Sequence, residues 1–147
     1  MQDKATGQEE GRSPKLYFSP GACSLAPHIV ARELGIPIDL ISVDLNSKRL
    51  AGGGDFLPIN HKGQVPVLEL ADGERLTEGP AIVQYLADQK PDSGLVPPAG
   101  TFDRYRLQEW LNFITSDLHK GFAPLFRPTT PDGFKRIAKE CLAARFH

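Results

Sequence analysis

Among residues able to do covalent chemistry, Cys23 has the most telling setting, inside Lys15 to Arg32 with the sequence KLYFSPGACSLAPHIVAR. Leu16, Tyr17 and Phe18 predict a short strand, Ser19, Pro20 and Gly21 a turn, and Ser24 to Glu33 a helix closed by Gly35 and Pro37. A thiol at a helix start meets free backbone N–H groups and the positive end of the helix dipole. That setting predicts a lowered pKa and a nucleophilic sulfur. The competing reading is a free cysteine buried as a small hydrophobe. Spacing alone leaves the two open.

Four other places carry polar chemistry. Thr77-Glu78-Gly79-Pro80 opens a second helix, where Glu78 either caps the helix or accepts a ligand ammonium while neighbouring N–H groups hold a carboxylate. His119 and Lys120 fall near the C-terminus of a long helix, where they satisfy its dipole or direct two donors at Cys23 or its ligand. Lys48 and Arg49 would reach over a ligand carboxylate or stay solvated. Pro66 is either an ordinary edge proline in trans or a cis residue that frees the backbone of Val65 to pair with an extended peptide. His28, His61, His119 and His147 show no ligand spacing with one another or with Cys23 and Cys141, so no metal is predicted. Cys141, in mid-helix, is expected in a core.

The elements that must position these residues follow in order. Ile38 to Leu45, IDLISVDL, predicts a strand rich in isoleucine and valine. Strand, helix and strand make a βαβ unit with a parallel pair and a right-handed crossover, and ligands of such units gather beyond the carboxyl ends of the strands, where Cys23 would stand. Asn46 to Gly63, with glycines at 52 to 54, predicts a long mobile connection lacking the GxxxxGK[ST] phosphate loop. Gln64 to Leu70 predicts a strand with Pro66 at an edge or start, followed by a hairpin turn over 71–74 into Arg75 to Thr77. Ala81, Ile82, Tyr85 and Leu86 stripe the next helix, which ends at Lys90-Pro91, and PDSGLVPPAG predicts an interdomain linker. A long amphipathic helix is expected from Phe102 to about Lys120, with Leu107, Leu111, Ile114 and Leu118 beside Tyr105, Trp110 and Phe113. Turns over Gly121 to Thr130 and a last helix over Pro131 to Phe146, carrying Ile137, Leu142 and Phe146, complete the chain.

Composition narrows the function classes. With 17 basic and 18 acidic residues, the net charge of -1 provides no field for nucleic acid or an anionic membrane, leaving a small molecule or a protein as partner. Two cysteines are too few for a disulfide scaffold and match a reducing, cytoplasmic compartment. No apolar run is long enough to span a membrane, and residues 1–14, polar and without an apolar export-signal core, are expected to form a flexible leader.

Taken together, LYFSPGACSLAPHIV, LPINHKGQVPVLEL, LTEGPAIVQYLADQKP and EWLNFITSDLHKGFAPLF resemble, collinearly from Lys15 to His147, a bacterial beta-class glutathione S-transferase. The resemblance implies an α/β fold with a thioredoxin-like, glutathione-binding N-terminal domain (15–90), a linker (91–101) and part of an all-helical C-terminal domain (102–147). It also implies a cis bond at Pro66, a mixed disulfide between Cys23 and glutathione, and main-chain pairing of Val65 with the tripeptide. Glu78 and Gly79 would hold the γ-glutamyl end, and Lys48 would contact the glycyl end of the ligand or its periphery. Asn112, Ser116, Asp117, His119 and Lys120 would reach toward glutathione or its thiol, with Cys23 and His119 in the catalytic roles. The implied protein is a homodimeric detoxification enzyme with glutathione as co-substrate and a small electrophile as partner. Family members run on for roughly fifty further residues, so a C-terminally truncated domain with exposed apolar faces is expected. The alternatives are a non-catalytic glutathione-binding or interaction module and, without a CxxC pair, a monothiol oxidoreductase.

Overall fold

The structure is a computed structural model that describes residues 13–145. Most of the expected leader, residues 1–12, and the last two positions, with the stripe residue Phe146, lie outside the described residues. The chain forms two compact units divided between Leu95 and Val96.

The first unit is built on a five-stranded mixed sheet. Its strands are β1 (Lys15–Phe18), β2 (Asp39–Asp44), β3 (Arg49–Leu50), β4 (Val67–Glu69) and β5 (Arg75–Thr77), in the order β3-β2-β1-β4-β5. β1 and β2 run parallel, with Tyr17 opposite Ile41, and helix α1 (Leu25–Glu33) forms the predicted crossover. β4 is antiparallel to both β1 and β5. Period-two alternation then sorts the side chains. Leu68 joins Ala31 of α1 and Ile82 and Leu86 of helix α2 (Gly79–Asp88) in one core. Tyr17, Val43 and Val67 meet Phe56 and Val65 in another.

Phe56 corrects the expectation of a loose connection over 46–63. It is fully buried, with its ring centroid 5.9 Å from that of Tyr17, and burial of a phenylalanine contributes about 1.5–3 kcal/mol. Arg49 and Leu50 add an edge strand to β2 that two residues are too short to announce by periodicity. The turn between them has Lys48 at φ 58°.

The second unit also departs from expectation. Helix α3 (Phe102–Phe113), capped by the Thr101 hydroxyl accepting from the Arg104 N–H, gives way to a π-helical segment over Ile114–His119, and helix α4 (Lys120–Phe126) continues where turns were predicted. Pro124 therefore sits inside a helix. Packing of α4 on α5 (Asp132–Arg145) overrides the proline signal, and Gly121 is the reason the two approach: a Cβ there would stand 2.7 Å from Cδ2 of the buried Leu142. Cys141 is exposed rather than in a core, because Leu142 takes the face toward α4 and the neighbouring position is rotated about 100° away. Ile137 is likewise exposed, as are Phe102, Tyr105 and Trp110.

Candidate functional site

Cys23 follows the turn after β1, two residues before α1 begins. Its neighbour Ser24 is buried and ties the turn together, its hydroxyl oxygen accepting from the Ser19 N–H and donating to the Ser19 carbonyl, each at 3.2 Å. The Cys23 residue is open to solvent, yet its thiol turns inward and donates to the Val65 carbonyl at 3.5 Å. Burial of the sulfur pushes its pKa up; the residue's own backbone N–H pulls it back, and the negative charge of Glu78 raises it again. The net shift is upward. This corrects the expectation of a thiolate stabilised by the helix: α1 starts beyond the cysteine, and no side chain caps it.

The Val65–Pro66 peptide is cis, as the family resemblance implies, and Pro66 immediately precedes β4 rather than interrupting it. Two side chains that lead into it are anchored. Buried Asn60 accepts from the Lys62 N–H through Oδ1 (3.2 Å) and donates from Nδ2 to the Gln64 carbonyl (2.8 Å). Lys48 Nζ donates to the Gly63 carbonyl at 2.8 Å, so this lysine braces the same loop from the β2–β3 turn. Gly63 has φ 61°, and a Cβ would come within 3.1 Å of the Lys48 side chain.

Glu78 stands next to this loop, at the start of α2, with φ 70° and ψ 116°. Its carboxylate does not cap the helix; it pairs with Lys62 Nζ at 2.8 Å, while Lys62 also reaches Thr77 Oγ1 at 3.1 Å. A backbone outlier of this kind costs about 1–3 kcal/mol, whereas an exposed ion pair returns about 0–1 kcal/mol. The pair therefore does not account for the conformation, and such outliers cluster at functional sites. Gly79 lies against the ring of Pro66, at 4.0 Å from Cγ to its would-be Cβ. Cys23, Val65, Pro66, Glu78 and Gly79 thus share one neighbourhood, and Lys48 braces the loop that leads into it.

The remaining predicted residues lie on one helical stretch of the second unit. Asn112 is the last residue but one of α3, Ser116, Asp117 and His119 occupy the π-helical segment, and Lys120 begins α4. The Ser116 hydroxyl is 2.9 Å from both the Asn112 carbonyl and Asp117 Oδ2. Bonds from Ser116 and then from Arg145 of α5 hold the Asp117 carboxyl below its ordinary range. Segments of π-helix are frequent at functional sites, and nothing in the apolar spacing announces this one. Asn60 and Lys62 also escaped sequence reasoning. The one available signal was the turn-forming run Asn60-His61-Lys62-Gly63. Among the described residues, no three His, Cys, Asp or Glu side chains gather as metal ligands, and no helix is long and apolar enough to cross a membrane.

A mixed sheet with a cysteine after its first strand, a cis-proline before an inner strand and a following helical unit defines a thioredoxin-like domain joined to an all-helical one. Residues 21–89 match the family model for the glutathione S-transferase N-terminal domain. The chain belongs to the glutathione S-transferases. It is 57% identical over 121 residues to glutathione S-transferase GstA of Escherichia coli O157:H7, an alignment covering 82% of this chain and 60% of that one. The bacterial beta-class glutathione S-transferase of Sphingomonas chungbukensis is 50% identical with a TM-score of 0.87, over 89% of this chain and 65% of the other. A sphingomonad glutathione S-transferase complexed with glutathione is 51% identical with a TM-score of 0.86, over 89% and 65% of the two chains. The chain thus spans about 60% of the length of GstA.

Proposed function

We propose that the chain binds glutathione in its first unit and takes part in glutathione transfer to small electrophiles or in thiol–disulfide exchange through Cys23. The observation that carries this reading is the convergence of the Cys23 thiol, the Val65 carbonyl and the Glu78 carboxylate. Glutathione presents an ammonium, two carboxylates, a thiol and two peptide groups. Glu78 suits the ammonium, and Val65 an extended peptide. A protonated Cys23 can donate to the sulfur of bound glutathione and so favour its thiolate, the nucleophile of conjugation. In exchange, Cys23 loses its proton, attacks one sulfur of oxidised glutathione and releases one glutathione thiolate, leaving a mixed disulfide. From the second unit the same reading takes Asn112, Ser116, Asp117 and Lys120 as ligand contacts and His119 as a catalytic partner. It takes Lys48 toward the glycyl end of the ligand, with a cytoplasmic homodimer as the working form.

Glutathione titrated into the purified chain by calorimetry tests binding, and mass spectrometry after oxidised glutathione tests exchange. Binding with one glutathionyl adduct mapped to Cys23, and lost in Cys23→Ala, is the expected result. A folded sample that neither binds glutathione nor forms the adduct would overturn the reading.

A further inference from the structure

Glu78 does not wait for a ligand with an empty carboxylate. Lys62 Nζ already occupies it at 2.8 Å, steadied by Thr77 Oγ1. We propose that Lys62 and Glu78 act together as a receptor for the zwitterionic amino-acid end of glutathione, Glu78 taking the α-ammonium and Lys62, released from Glu78, taking the α-carboxylate. The inference rests on the glutathione reading above and adds a specificity-determining residue to it.

Four observations support the assignment. The two side chains are 42% and 61% exposed, so a ligand can reach both, and an exposed pair contributes so little to stability that it opens readily. The backbone of Lys62 is held in place by buried Asn60, so that only the flexible side chain has to move. Gly79, directly after Glu78, offers a carboxylate only its backbone N–H, which leaves a charged partner to be supplied by a nearby side chain. Finally, the charges match. The internal pair is neutral, as is the amino-acid end of the ligand, so binding exchanges one ion pair for two with no change in net charge. A simple amine would have to displace Lys62 with no carboxylate to receive it. The pair therefore selects an α-amino acid over an amine, through an element that acts against the wrong ligand.

Calorimetry with three tripeptides tests this on the wild-type chain, Lys62→Met and Lys62→Arg. The ligands are glutathione, γ-aminobutyryl-Cys-Gly, which keeps the ammonium and lacks the α-carboxylate, and glutaryl-Cys-Gly, which keeps the carboxylate and lacks the ammonium. In the wild type, glutathione should bind about tenfold tighter than either analogue. Lys62→Met should weaken glutathione about five- to tenfold and leave the aminobutyryl peptide unchanged or tighter, so that the preference collapses, while Lys62→Arg retains it. The inference is overturned if Lys62→Met keeps the wild-type preference, or weakens glutathione and the aminobutyryl peptide in equal proportion, as a purely structural role would. A folded wild-type chain that neither binds glutathione nor forms the adduct with oxidised glutathione overturns the transferase reading itself and this inference with it, whereas binding with unaltered selectivity sinks only the role of Lys62.

Discussion

At the scale of the residue, Cys23 is a hydrogen-bond donor. Its thiol points at the Val65 carbonyl, and partial burial together with the Glu78 charge holds it protonated above the ordinary thiol range. Its alkylation by iodoacetamide should therefore be slower than that of a free thiol at neutral pH and should keep rising through alkaline pH. In a Cys141→Ser background, which removes the exposed second thiol, peptide mass spectrometry against pH reads this directly. Glu78→Gln removes the negative charge that raises the sulfur's pKa, so its profile should shift toward lower pH. An unshifted profile would mean that Glu78 does not act on the thiol. Sequence reasoning singled out this cysteine but gave its pKa shift the opposite direction. Proximity to a helix start can be read along the chain, whereas the Val65 carbonyl, 42 positions away, and the charge of Glu78 come together only on folding.

At the scale of the element, the helix pair α4–α5 depends on a single absent side chain. Leu142 fills the space in front of Gly121, leaving no room for a branched residue. Gly121→Ala gains about 1 kcal/mol of helix propensity and loses a similar amount in contact, so it should be close to neutral. Gly121→Val adds two more methyl groups and should destabilise the unit by about 2–3 kcal/mol. Trp110 is the chain's one tryptophan and belongs to this unit, so urea unfolding followed by its fluorescence reports the loss. An unmoved midpoint would show that Leu142 swings aside freely. The helical stripe 107–118 was legible from apolar spacing, but the widening into a π segment was not. Periodicity records which positions repeat, not which carbonyl each N–H selects.

At the scale of the whole molecule, the two units rest on different kinds of interaction. The second contains one buried hydrophobic side chain among its described residues, Leu142, while the first has two apolar cores and a charged cluster beside one of them. In that cluster Glu69, almost fully buried, accepts from Lys15 Nζ and Arg75 Nε at 2.8 Å each and from the Tyr17 hydroxyl at 3.2 Å. Burial alone would raise its pKa, but the bonds from Lys15 and Arg75 outweigh that and hold it below the usual carboxylate range. A depressed folded-state pKa stabilises the fold above the unfolded value, near 4.5, and this contribution disappears as pH falls through the folded value. Glu69→Gln should accordingly cost about 1–3 kcal/mol at pH 7, with a difference from wild type that shrinks as the solution is acidified toward pH 3. Urea midpoints by circular dichroism at the two pH values measure it. A penalty that stays constant with pH would remove the charge from the explanation.

By itself the sequence determined the order of strands and helices in the first unit apart from β3, the placing of Cys23 after β1 and of Glu78 before α2, and the proline at the start of β4. Each of these is written in neighbouring residues, through alternation, turn chemistry and helix-start signals. Only the tertiary structure decided what is assembled across the chain. It joined Lys62 to Glu78, 16 residues apart, and braced Gly63 with Lys48, 15 residues away. It also turned the Cys23 thiol into a donor, added β3 as an edge strand and left Cys141 exposed. The physical reason is common to all of them. Local propensity acts over one or two turns of chain, whereas burial and charge depend on every group that folding brings within a few ångströms.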